Sequence, residues 1–198
     1  MDLKKDLKPL YSGKAGVVQL VTPGSHHFLA YDGFGDPNTL PKYKVAVEAL
    51  FTLSYHIKFS LRKKLGVDYG VMPLEGLWCS DDMRTFSTDQ KHQWKWTVMI
   101  MQPRFVTDEH VEESKAAITK NKGIDVSAAG FCEYSEPSCA QTLHVGPFAD
   151  EGPTVARLHD WIISAHHKLA GKHHEIYLTD IRRADPSKWK TLIRQPFT

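Results

Sequence analysis

Two carboxylates in this 198-residue chain stand where a carboxylate could do more than face water. Glu75 lies inside the apolar run Met72-Pro73-Leu74-Glu75-Gly76-Leu77-Trp78. Apolar neighbours disfavour the charged form, which raises a carboxyl's pKa and makes it available as an acid or base, or as a counter-charge for a cationic ligand. Glu175 lies in His173-His174-Glu175-Ile176-Tyr177-Leu178, two residues from an aromatic ring. If this stretch is a strand, Ile176 and Leu178 lie against a helix, and Glu175, Tyr177 and Thr179 point the other way, into a groove. The plain alternative is a solvated edge-strand acid beside a half-buried ring. Trp78, Trp94, Met72, Met99 and Phe34 add polarizable apolar surface of the kind that lines pockets for organic molecules, although such residues also fill cores. Paired histidines occur at His26-His27, His166-His167 and His173-His174. Neighbours on a strand point to opposite faces, so such a pair cannot ligate one ion, and neither a metal nor a cofactor is expected. The chain has no Walker loop, nucleophile elbow or dinucleotide fingerprint.

The elements that must position these residues show an internal echo. Lys95-Trp96-Thr97-Val98-Met99-Ile100-Met101-Gln102-Pro103 returns as Lys188-Trp189-Lys190-Thr191-Leu192-Ile193-Arg194-Gln195-Pro196. Gly33-Phe34-Gly35-Asp36-Pro37 leads into one helical pattern, and Gly146-Pro147-Phe148-Ala149-Asp150-Glu151-Gly152-Pro153 leads into another. Such self-similarity is the signature of repeated units. The expectation is an α+β chain built from a pseudo-twofold pair of strand-helix-strand-strand modules with a central cleft. The modules span about residues 17–103 and 140–196, joined by a helical connector over 104–139.

Within the first module, strands are expected over 17–21 and 28–31. A helix follows over 41–65, carrying Val47, Leu50, Phe51, Ser54, Ile57 and Leu61 at helical spacing, basic residues at its end and Gly66 as its stop. In the second, a strand over 140–145 precedes a helix with Pro153 in its first turn, Val155, Leu158, Ile162, Ala165 and Leu169 on its apolar face, and Gly171 at its end. Residues 71–78 and 175–180 are expected to be equivalent strands. Strict alternation then sets Glu75 on the face opposite Met72, the partner of Tyr177, unless a bulge at Pro73 or Gly76 re-aims it. Thr107 caps a connecting helix to about Lys122, with a loop over 123–130.

Composition bounds the class. A chain with 41% hydrophobic and 24% charged residues can bury a core, and a net charge of +2 leaves no nucleic-acid footprint. No apolar run is long enough for a membrane span or a signal segment, so a cytoplasmic protein is expected. The three cysteines, Cys79, Cys132 and Cys139, read as reduced thiols.

Six blocks together resemble the stand-alone GyrI-like small-molecule-binding proteins: Tyr11-Ser12-Gly13-Lys14, Gly33-Phe34-Gly35-Asp36-Pro37, Met72-Pro73-Leu74-Glu75-Gly76-Leu77-Trp78, Met99-Ile100-Met101-Gln102-Pro103, His144-Val145-Gly146-Pro147 and Gly171-Lys172-His173-His174-Glu175-Ile176-Tyr177-Leu178. The resemblance implies the fold of the ligand-binding domains of multidrug-sensing transcription activators, with a buried carboxylate in a central cleft. The branch it is most similar to is associated with hydrolysis of cyclopropane-bearing, DNA-alkylating natural products, without a cofactor. It implies Glu75 and Glu175 as candidate catalytic groups and Trp78, Tyr177, Trp94, Met99, Met72 and Phe34 as the ligand's surroundings. Cys79 stands where that branch carries a second bulky aromatic. The implied partner is a small hydrophobic, cationic or cyclopropane-containing molecule, held by a monomer or homodimer that touches neither nucleic acid nor membrane. The alternative is a non-catalytic sensor or sequestration protein acting with a transcriptional partner.

Overall fold

The computed structural model describes residues 3–80, 88–122 and 124–198. A short turn of helix, α1 (Leu3–Asp6), precedes β1 (Gln19–Val21) and β2 (Gly24–Phe34). The long helix α2 (Pro41–Leu65) is followed by β3 (Leu74–Cys79), β4 (Lys95–Gln102) and α3 (Asp108–Lys122). Then come β5 (Gly130–Glu136), β6 (Cys139–Val145), α4 (Gly152–Ser164), β7 (His173–Tyr177) and β8 (Lys190–Pro196). The strands form one sheet in the order β1-β6-β8-β7-β3-β4-β2-β5. The chain is thus α+β, and β2-α2-β3-β4 and β6-α4-β7-β8 repeat the same element order. Among the described residues, no helix is long and apolar enough to cross a membrane.

The chain forms two compact units. The first comprises residues 1–6, 26–74 and 78–134; the second comprises 7–25, 75–77 and 135–198. In the first, α2 has the bounds its periodicity predicts. Proline occupies its first turn, where a missing N–H costs nothing, and Gly66 ends it in the left-handed conformation (φ 69°) with its N–H on the Arg62 carbonyl. Its buried stripe is Ala46, Ala49, Leu50, Leu53, Ser54, Ile57 and Leu61. Thr107 stands before α3 as expected, and His110 Nδ1 accepts the Thr107 N–H at 3.3 Å, the reciprocal half of a helix-start box. The loop expected from residue 123 begins at a position outside the described residues. The strand β5 occupies part of the stretch over which a helical connector is expected. It is an edge strand whose half-buried rings, Phe131 and Tyr134, point to opposite faces and meet His27 and Phe28 at 5.3 and 6.1 Å, so its sequence shows little apolar alternation.

In the second unit, α4 packs Leu158 and Ile162 on Ala140 of β6 and Ile193 of β8. This helix ends earlier than Gly171 suggested. His166 takes the left-handed conformation (φ 63°), its N–H bonds the Ile163 carbonyl, and the His167 N–H bonds the Ile162 carbonyl. That paired closure stops the helix without a glycine, and Gly171 (φ 61°) serves a later turn. The two units share a backbone closure in a register that matches Trp94 to Trp189, whereas the sequence echo sets Trp96 on Trp189. The Gly35 N–H bonds the Trp94 carbonyl at 2.8 Å, and the Gly146 N–H bonds the Trp189 carbonyl at 2.9 Å, both glycines at positive φ.

Candidate functional site

The strands β7 and β8 pair antiparallel, with Glu175 opposite Ile193, Tyr177 opposite Thr191 and His174 opposite Arg194. Opposed residues share a face. Ile193 packs on α4, so His173, Glu175 and Tyr177 lie on the face that α4 covers, and His174 and Ile176 lie on the other. This inverts the expected orientation, in which Ile176 and Leu178 met the helix. Both faces of β7 are covered: Ile176 and His174 are as buried as His173, so apolar alternation carries no sign of which face takes the helix.

On the α4 face, Glu175 is held from both sides. His173 Nε2 lies 3.1 Å from Oε1, and the Tyr177 hydroxyl donates to Oε2 at 2.7 Å. Burial works against its charge, but the His173 and Tyr177 contacts outweigh it and hold the carboxyl below its usual range. Glu151, the residue before α4, is the opposite case. Burial first, and then the negative charge of Glu175, push its carboxyl up to about 8. Its Oε1 has no hydrogen-bond partner among the described residues. One carboxylate and one carboxylic acid therefore stand together near neutral pH, a pairing suited to taking a proton at one oxygen and giving one at another. An aromatic rim adjoins them: the Phe148 ring lies 5.5 Å from Tyr177 and 4.9 Å from Trp189, and Phe148 itself is exposed.

Glu75 is placed elsewhere. It is 1% exposed, accepts from the Tyr11 hydroxyl at 2.5 Å, and meets His174 Nε2 at 2.9 Å. The His174 Nδ1 meets Glu136 at 2.8 Å, and Arg194 reaches Glu136 (3.0 Å), Gln141 (3.1 Å) and the Leu10 carbonyl (2.6 Å). Burial opposes the Glu136 charge, yet His174 and Arg194 bring it down to about 2. The same carboxylate, against burial, raises His174. Burial and Glu75 keep the Tyr11 hydroxyl protonated well past its usual range. Glu75 thus shares a face with His174, opposite Glu175 and Tyr177, as strict alternation required. The adjacent histidines of β7 divide the same way, one to each carboxylate.

The other candidates belong to the first unit. Trp78 is buried, stacks on Tyr43 at 5.9 Å and meets Trp94 edge-on at 5.6 Å; its indole N–H has no acceptor among the described residues. Trp94 is half-buried, with the Lys91 ammonium 5.5 Å from its ring centre. Met72 and Met99 are core residues, and Phe34 is exposed at the end of β2. Glu151, His173 and Thr191 were missed as site residues. The one local signal was a carboxylate directly before the Gly152-Pro153 helix start.

An α+β sheet protein with a carboxyl pair beside an aromatic rim is a scaffold for holding organic molecules. The GyrI-like small molecule binding domain matches residues 25–197, and the chain belongs to that family. It is similar over its full length to an uncharacterized conserved protein from Listeria innocua, with 36% identity, a TM-score of 0.93 and all of that chain covered. A hydrolase from Listeria innocua is 34% identical, with a TM-score of 0.87 and full coverage of both chains. The C-terminal domain of EcmrR shares the fold at 12% identity and a TM-score of 0.59, over 92% of this chain and 97% of its own. No curated protein matches the chain.

Proposed function

We propose that this chain is a cofactor-independent hydrolase of small, apolar, electrophilic molecules, with cyclopropane-bearing alkylating compounds as the substrate class. The observation that carries this reading is the pair of carboxyls in opposite protonation states, Glu151 pushed up to about 8 and Glu175 held low, beside the Phe148, Tyr177 and Trp189 rings. The hydrolase from Listeria innocua, similar over its full length, supports a reaction as well as binding. A cyclopropane conjugated to a carbonyl is strained and already electrophilic, so the demands on the protein are modest. Water attacks a ring carbon and its proton goes to Glu175. The breaking C–C bond sends its electrons to the carbonyl oxygen as an enolate, which takes the proton of Glu151. Transfer of the gained proton from Glu175 to Glu151 restores the pair, and the net change is addition of one water.

The test is incubation with conjugated cyclopropyl ketones, read by mass spectrometry for the hydrated product and by tryptophan quenching for binding. Glu175→Gln should cut turnover about a hundredfold or more with little change in affinity. Binding without product in the unaltered protein would replace hydrolysis with sequestration. In the first unit, an acceptor group on a ligand would satisfy the buried Trp78 indole. Trp78→Ala should then weaken binding by about 1–3 kcal/mol, and unchanged affinity removes Trp78 from the site.

A further inference from the structure

One face of α2 is apolar where it meets solvent. Phe51, Tyr55 and Phe59 follow each other at four-residue spacing, their rings nearly parallel at 6.4 and 6.2 Å. Tyr55 is 45% exposed and Phe59 54%. Val45 (46%) and Leu65 (61%) are also exposed near the two ends of the helix, each turned about 80° to one side of the stripe. The buried stripe of α2 lies on its other side, and Tyr55 and Phe59 stay outside the core of their own unit while Phe51 is half-buried. Three aromatic side chains in a row on a helix otherwise rich in lysine mark an interaction surface. Mutual stacking along the helix also restricts the rings before any partner arrives, which lowers the entropy cost of association.

The order of residues along the stripe identifies the partner. Laid antiparallel on a copy of itself and centred on Tyr55, the helix sets Glu48 opposite Arg62, Phe51 opposite Phe59 and Tyr55 opposite itself. Each apolar residue meets an apolar residue, and the acidic position meets a basic one on both sides of the axis. Glu48 is exposed, and the exposed Arg62 makes a long 3.9 Å contact to the exposed Asp68. Self-complementarity about a central residue is what a twofold interface requires, because each contact must occur twice. The opposite charges at matched positions also disfavour the parallel arrangement, which would bring Glu48 beside Glu48 and Arg62 beside Arg62.

We infer that two copies of this chain associate in solution through antiparallel packing of α2 on α2. Sedimentation velocity over a concentration series should show a monomer–dimer equilibrium. Glu48→Arg and Arg62→Glu, each alone, replace two attractions per dimer with two repulsions and should weaken association about tenfold. The double variant, Glu48→Arg with Arg62→Glu, should restore it. Tyr55→Glu, which sets two like charges on the axis, should leave only monomer. All three positions are exposed, so unchanged circular dichroism verifies the fold in each variant. A protein that stays monomeric throughout the series overturns the inference and leaves the stripe to some other macromolecule. A dimer untouched by Tyr55→Glu, or a double variant no better than the singles, overturns the antiparallel register.

Discussion

Glu151 and Glu175 carry the sharpest test because their surroundings push them in opposite directions. If turnover needs Glu151 with its proton and Glu175 without one, activity falls as pH rises through about 8, and the alkaline limb belongs to Glu151. A pH profile of Glu151→Gln should lose that limb along with much of its rate; an unchanged limb would assign it to another group. Stability follows the same carboxyl. The folded chain keeps a proton that the unfolded chain releases near its ordinary value, so the Glu151 contribution is present below that value and lost as pH climbs to about 8. Glu136 works the other way: its contribution is present above the ordinary carboxyl value and lost as pH falls toward about 2. Glu136→Gln removes the counter-charge of the buried Arg194, leaves His174 with Glu75 alone, and should cost about 3–5 kcal/mol in denaturant unfolding. Tyr11→Phe takes one neutral donor from buried Glu75 and should cost about 1–3 kcal/mol. Equal costs for the two variants would argue that Glu136 carries no charge in the folded chain.

Among the elements, backbone conformation makes the predictions. His166 holds a left-handed conformation that penalises every side chain with a Cβ, and it does so at the exposed end of α4. His166→Gly should raise the melting temperature, with a gain of about 1 kcal/mol. A loss would mean that the His166 side chain makes a contact worth more than the strain. Gly33 is the reverse case. It pairs with Trp96 across β2 and β4, and a Cβ built there would lie 2.0 Å from the Trp96 ring. The Trp96 indole donates to the Gly35 carbonyl at 3.2 Å, so the ring cannot swing aside without giving up that bond. Gly33→Ala should destabilise the first unit by more than the small propensity difference between the residues, read as a lower denaturation midpoint.

For the whole molecule, the decisive fact is that the second unit is not one stretch of chain. It takes residues 7–25, 75–77 and 135–198. The buried Arg194 and Gln141 side chains donate to the carbonyls of Pro9, Leu10 and Ser12, and Glu75 closes the ring through Tyr11 and His174. A fragment of residues 135–198 would bury those donors without acceptors, and we expect it to remain unfolded by circular dichroism. A cooperatively folding fragment would show that the distant segments are dispensable. The sequence alone determined the class, the repeated element order, the bounds of α2 and the rule that Glu75 and Tyr177 cannot share a face. These rest on local chemistry: helical spacing, proline and glycine at helix ends, and strand alternation. Only the tertiary structure decided that α4 lies over Glu175, that Glu151 stands beside it with its proton, and that Glu75 is sealed by Tyr11 and His174, residues 64 and 99 positions away. Periodicity tells which side chains share a face, but which face a helix covers is settled by what the rest of the chain can bury there. A carboxyl's protonation state depends on that same burial, which no local run of residues contains.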